Sequence, residues 1–158
     1  MVLRSGDAIV AKSTPKRRVR ALQALVEGSP ISSQASYASI KAEFAAISNS
    51  ASVSGQRREL LMVLHTTRAL DTSLRELLTA RSVPLPPNRA LGGYLLRFQN
   101  HSSSSMRRLS PPRRQSFQSS IVTKRNRYLH ESDAYPDSLG TDSILREVHA
   151  CLSEVLAL

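Results

Sequence analysis

Between positions 125 and 130 an arginine, an asparagine and a histidine stand close together, in the run Arg125-Asn126-Arg127-Tyr128-Leu129-His130. Imidazole exchanges a proton near neutrality, at a pKa of about 6.5. A guanidinium is a permanent cation whose planar fork meets two phosphate oxygens at once. On a helix turning about 100° per residue, Asn126 and His130 form an i,i+4 pair on one edge, close enough to act together on one substrate atom. With Phe117 set at zero on the same wheel, Arg125 falls at about 80°. That is the middle of an apolar arc made by Phe117, Ile121, Val122, Tyr128 and Leu129. A guanidinium there is costly without a partner, so something must face it. The alternative is a helix that stops near Lys124 and lets Arg125 bend into solvent.

This pattern resembles the Arg-x4–6-His signature of the HEPN superfamily, small helical domains of which many cleave RNA. As in HEPN nucleases, the arginine is followed by a polar residue, Asn126, the motif lies late in the chain, and Pro136 marks a turn before the last helix. A second match, Arg58 to His65, runs through Glu59, Leu60, Leu61, Met62, Val63 and Leu64, so His65 reads as the flank of a core-packing helix. The resemblance implies an all-α fold and a metal-independent endoribonuclease without a cofactor. In that reaction the substrate's own 2′-OH attacks the adjacent phosphate, leaving a 2′,3′-cyclic phosphate and a 5′-OH. It implies His130 as general acid or base, Arg125 as the group stabilising charge on the phosphoryl oxygens, and Asn126 as the residue orienting His130 or a phosphate oxygen. It also implies a homodimer with a shared active site and a role as a toxin or antiviral effector, restrained by an antitoxin or a defence-system partner. Members that end the motif His-x-Tyr carry a tyrosine where this chain has Ser132. That departure argues against the toxins paired with minimal nucleotidyltransferases.

The charge balance points to a polyanion. The 158 residues carry a formal +10, unevenly spread: residues 1–130 hold 21 basic and 6 acidic side chains, whereas 131–158 hold 1 and 6. Basic character gives salt-sensitive affinity for any nucleic acid and does not choose RNA over DNA. With no Trp, three Phe and four Tyr, the chain has no aromatic platform of the kind that RNA-binding sheets and OB barrels use. Two rivals to the nuclease therefore stand beside it: a non-catalytic HEPN-like bundle that binds RNA or assembles with other subunits, and a basic helical DNA-binding protein. No His, Cys and carboxylate spacing suits zinc, and no phosphate loop or dinucleotide fingerprint occurs. Asp133 and Asp137 read as helix-end and capping residues rather than metal ligands. The lone Cys151, at leucine-rich helical spacing, reads as a small core residue. No apolar run is long enough to cross a bilayer, and the expected location is cytoplasmic.

The elements that must position the motif follow from apolar periodicity and caps. Residues 1–14 read as an arm and 15–158 as one helical domain of five to six helices. Thr14 caps a first helix that opens on Pro15 and ends at Gly28, with Lys16, Arg17, Arg18 and Arg20 on or beside its outer face. Tyr37, Ile40, Phe44 and Ile47 mark a short second helix. Gln56 to Arg81 is a long central one, striped by Leu60, Leu64, Thr67, Leu70, Leu74, Leu77 and Leu78. Asn88 is expected to cap a fourth, in which Gly92-Gly93 admits a neighbouring helix. His101 to Arg114 reads as a flexible basic Ser/Pro/Arg-rich connection with no core of its own. Ser110 caps the motif helix beyond it, and Thr141 or Asp142 caps the last. Arg107, Arg108, Arg113, Arg114, Lys124 and Arg127 are the expected contacts to RNA phosphate.

Overall fold

The computed structural model describes residues 15–158. The expected arm at 1–14, with Thr14 as a cap, lies outside the described residues. The helices are α1 (Pro15–Glu27), α2 (Tyr37–Asn49), α3 (Gly55–Ala80), α4 (Leu91–Asn100), α5 (Pro111–Phe117), α6 (Lys124–His130) and α7 (Ser138–Leu156). A π-helical turn, Gln118–Thr123, joins α5 to α6 without a break in helical backbone. The described residues thus form an all-α bundle of six rods with no strand. None of these helices is long and apolar enough to cross a membrane.

The long helix α3 is the mast of the bundle. At 1.5 Å per residue it spans about 39 Å, and α2, α4, α6 and α7 all pack on it. Being wrapped on several sides explains why burial exceeds the leucine stripe: Met62, Val63, Thr66, Ala69 and Ser73 are buried with Leu70, Leu74, Leu77 and Leu78. Leu60 and Leu64, toward the N-terminal end, are only half-buried. The buried hydroxyls of Thr67 and Ser73 bond back to the Val63 and Ala69 carbonyls at 2.8 and 2.7 Å, which satisfies them inside the core.

Helix α3 ends in a Schellman turn. The Val83 N–H reaches the Leu78 carbonyl at 2.9 Å, the Ser82 N–H reaches that of Thr79 at 3.0 Å, and Val83 is buried. The turn needs a left-handed residue, and Ser82 occupies it at φ 53°. A Cβ is strained there and glycine is not. Ser82→Gly is therefore expected to stabilise the fold by roughly 0.5–1 kcal/mol, the left-handed penalty of about 1–2 kcal/mol less the entropic cost of glycine of about 0.5–1 kcal/mol, read as a rise in the urea midpoint at unchanged slope.

Three expectations at the ends of helices are corrected. The cap of α4 is Ala90, not Asn88, because the chain folds Asn88 back over the first turn. A Cβ at Gly93 would lie 2.1 Å from the Asn88 carbonyl oxygen, so this glycine makes room for its own loop. Gly92 does face a neighbouring element: its Cβ would lie 3.0 Å from Oε1 of Gln118. The last helix starts earlier than Thr141 or Asp142. Asp137 caps it, its Oδ1 accepting from the Gly140 N–H at 2.6 Å. Asp142 instead pairs with Arg18, tying α7 to α1.

The Ser/Pro/Arg-rich connection is not coreless. Met106 and Leu109 are buried, the Leu109 N–H bonds the Phe98 carbonyl at 3.0 Å and the Arg107 N–H bonds that of Leu158 at 3.0 Å. His101 is itself buried, and its Nε2–H donates to the Arg107 carbonyl at 3.0 Å. Two apolar side chains and a buried imidazole pin the segment across the bundle end, leaving its serines and arginines largely outside. His101 is a strap fastening. Ser110 precedes α5, whose prolines occupy the first turn as expected.

Candidate functional site

The motif helix runs unbroken to His130, so the chain does not bend away at Lys124. Its phase, however, differs from a straight wheel. In the π-turn hydrogen bonds skip one residue more than in an α-helix, and each residue turns the chain by less than 100°. Beyond Thr123 the angles counted from Phe117 no longer hold. Phe117, Ile121 and Val122 stay buried, but no residue of α6 is fully buried, and Arg125 comes to the rim of the core rather than its middle. The apolar-arc placement of Arg125 is corrected on that ground. The inference that something must face it leads to the other side of a cleft.

That cleft, of about 500 Å³, lies between α2, α3, the loop before α4, and α6. Arg125 enters it from α6, Glu43 from α2, Arg68, Asp71 and Arg75 from α3, and Arg89 from the loop. Glu43 is engaged twice, by Nε of Arg68 at 3.0 Å and by Nδ1 of His65 at 2.8 Å. Arg75 is held by Glu76 at 3.0 Å and by the Ser36 hydroxyl at 2.9 Å. Arg89 and Arg125 take part in none of the ion pairs formed among the described residues. Burial pushes the Asp71 carboxyl above its ordinary value, and the charges of Arg125 and Arg75 pull it partly back. Asp71 thus lies within the electrostatic reach of Arg125, with no ion pair between them.

Arg125 bridges two faces of its helix. Its Nη1 donates to Asn126 Oδ1 at 3.0 Å, while Asn126 and His130 are exposed on the outer face. On this short α-helical stretch Asn126 and His130 remain i,i+4 neighbours, about 40° apart in projection and one turn apart along the axis. The guanidinium therefore sits between the cleft and the surface that carries the imidazole. His130 does not line the cleft. No family model, curated protein or solved structure matches this chain. The site is accordingly argued from its own geometry.

The remaining expected phosphate contacts divide into two groups. Arg107, Arg108 and Arg127 are exposed and Lys124 half-buried; Arg127 meets Glu131 at 3.3 Å in an exposed i,i+4 pair that solvent largely screens. Arg113 and Arg114 have structural work. Arg113 pairs with Glu154 of α7 at 2.8 Å and stacks its guanidinium over Phe117, and Nε of Arg114 donates to Gln99 at 2.8 Å. Lys16, Arg17 and Arg20 are exposed along α1. Cys151 is fully buried and its thiol is pushed far above the ordinary value, so it is no nucleophile. Among the described residues no three His, Cys, Asp or Glu side chains converge as a metal set.

Sequence reasoning passed over Arg68, Asp71, Arg75 and Arg89. A signal for three of them existed: Arg68, Asp71, Thr72 and Arg75 recur at i, i+3, i+4 and i+7 on α3, a polar stripe beside the leucines. Arg89 carried none, because only the fold of the loop brings it to the stripe.

Proposed function

We propose that this chain is a metal-independent endoribonuclease whose site is centred on Arg125, Asn126 and His130. The observation that carries the reading is the Arg125 to Asn126 hydrogen bond, which holds a guanidinium between a cationic cleft and an exposed imidazole. A phosphodiester laid across α6 would meet Arg125 on one side and His130 on the other. The 2′-oxygen forms a bond to phosphorus as its proton leaves, the bond from phosphorus to the 5′-oxygen breaks, and that oxygen takes a proton. The products are a 2′,3′-cyclic phosphate and a 5′-OH. His130 serves one of the two proton transfers. Arg125 offsets the charge that grows on the phosphoryl oxygens, and Asn126 fixes the guanidinium or a phosphate oxygen. Exposed Arg107, Arg108 and Arg127, with half-buried Lys124, supply sequence-independent attraction for the backbone. The biological setting that fits is a cytoplasmic toxin or antiviral effector restrained by a partner protein.

Labelled RNA and DNA of equal length, incubated with the protein in EDTA, test this. The nuclease cuts RNA alone. A non-catalytic RNA-binding subunit cuts neither, and a DNA-binding protein prefers duplex DNA.

The reaction wants two proton-transfer groups and each motif has one histidine. His101 is enclosed in the strap, His65 is engaged by Glu43, and His149 lies on α7 beside Arg17 and Arg18 of α1, its Nδ1 3.5 Å from the Ser153 hydroxyl. A two-fold dimer would bring His130 and Arg125 of both chains to one cleft, since an isologous contact sets the same patch against itself. Turnover per chain is then expected to collapse on dilution in step with the loss of dimer seen by light scattering. Constant turnover from a proven monomer rules out the shared site.

A further inference from the structure

The cleft beside Arg125 is not uniformly cationic, and one of its two acids is informative. Asp71 projects into it half-buried, yet it takes part in none of the ion pairs formed among the described residues. The other acid lining the cleft, Glu43, is already occupied by Arg68 and His65. A cleft meant only for phosphate would gain nothing from a carboxylate, which repels the ligand. Its presence suits a ligand that is anionic at one end and rich in hydrogen-bond donors at the other.

We infer that this cleft is a guanine-nucleotide subsite, with Asp71 reading the base and Arg89 and Arg125 holding the phosphate. Two carboxylate oxygens accept best from two parallel N–H donors. Guanine alone among the RNA bases offers two adjacent donors, N1–H and the N2 amino group, on its Watson–Crick edge. Adenine and cytosine place an acceptor next to their amino group, and uracil flanks a single N–H with two carbonyls. Arg89 is exposed at the mouth and Arg125 lines the wall next to α3. Neither is tied to a carboxylate, so both remain available to a phosphate. The volume of about 500 Å³ falls within the range of small-ligand sites, roughly 300–1,000 Å³. The inference rests on the proposed function only in taking the nucleotide to be part of an RNA substrate; binding of the nucleotide itself is independent of cleavage.

The experiment is calorimetric titration of the full chain with 3′-GMP, 3′-AMP, 3′-CMP, 3′-UMP and inorganic phosphate, with RNA cleavage mapped in parallel. 3′-GMP is expected to bind at least about ten-fold more tightly than the other nucleotides, the discrimination of one good bidentate base contact. Asp71→Asn is expected to erase that preference while keeping the affinity for inorganic phosphate, because the amide replaces one acceptor with a donor that opposes the guanine N–H groups. Arg89→Ala, at an exposed position, is expected to weaken all four nucleotides alike. Equal affinity for the four bases, a preference that survives Asp71→Asn in a folded variant, or no binding of any probe overturns the inference. RNA cleavage without preference for guanine keeps the nuclease and removes this subsite. Selective 3′-GMP binding without cleavage does the reverse.

Discussion

His130→Ala is expected to lower RNA cleavage by about 10²- to 10⁴-fold, the usual worth of a positioned proton-transfer group, while leaving the fold untouched. The expectation of an intact fold comes from where the residue sits. His130 is exposed, is the last residue of α6, and takes part in none of the ion pairs among the described residues. Removing its ring opens no cavity and orphans no buried partner. The contrast with the other motif match sharpens the test: His65 is bonded to Glu43, which also holds Arg68. His65→Ala would loosen the contact of α2 with α3, so its effect should appear first in stability. Single-turnover cleavage together with circular dichroism and a thermal melt separates the two. Cleavage at the original rate in a folded His130→Ala protein would remove the motif from the reaction.

The bundle itself was readable in the chain because helices bury a stripe, and stripes are periodic. Val19, Leu22 and Val26, or Ile144, Val148, Cys151 and Val155, announce their helices without help from the rest of the fold. What resisted reading depended on contacts remote in sequence. Asn88 looks like a cap, but the loop fold that presses it onto Gly93 hands the cap to Ala90. Met106 and Leu109 are too sparse for a periodic signal, yet both are buried, with Leu109 bonded to Phe98 of α4 and the intervening Arg107 to Leu158 past the end of α7. The π-turn is the most instructive case. Nothing in Gln118-Ser119-Ser120-Ile121-Val122-Thr123 marks an extra residue per turn, and this shift carries Arg125 from the core to the cleft. That shift removes the premise of charge burial, because Arg125 ends on the rim of the core rather than inside it. It lines one wall of the cleft, with Asp71 and the polar stripe of α3 among the other lining residues.

Arg125→Lys should separate charge from geometry. The substitution keeps a cation on the wall of the cleft and within the field of Asp71, so RNA affinity, which sums many phosphate contacts, is expected to change little. Turnover is expected to fall by about 10²- to 10³-fold, the cost of removing one well-placed donor to a developing charge. The physical reason is the guanidinium fork. Arg125 already spends one Nη1 hydrogen on Asn126 Oδ1 at 3.0 Å and keeps its other N–H groups, fixed in one plane, for phosphoryl oxygens and the cleft. An ammonium group is a compact point charge with donors that rotate, and it cannot hold Asn126 and present two parallel donors together. Asn126→Ala offers the complementary test: it leaves the fork but frees it from its anchor, and the loss in turnover should be smaller than for Arg125→Lys. Measured kcat and binding constants for the three proteins decide the matter. Equal losses in binding and turnover for the lysine variant would make Arg125 one more basic residue of a basic surface, and wild-type turnover would leave the Arg125 to Asn126 bond with no part in the chemistry.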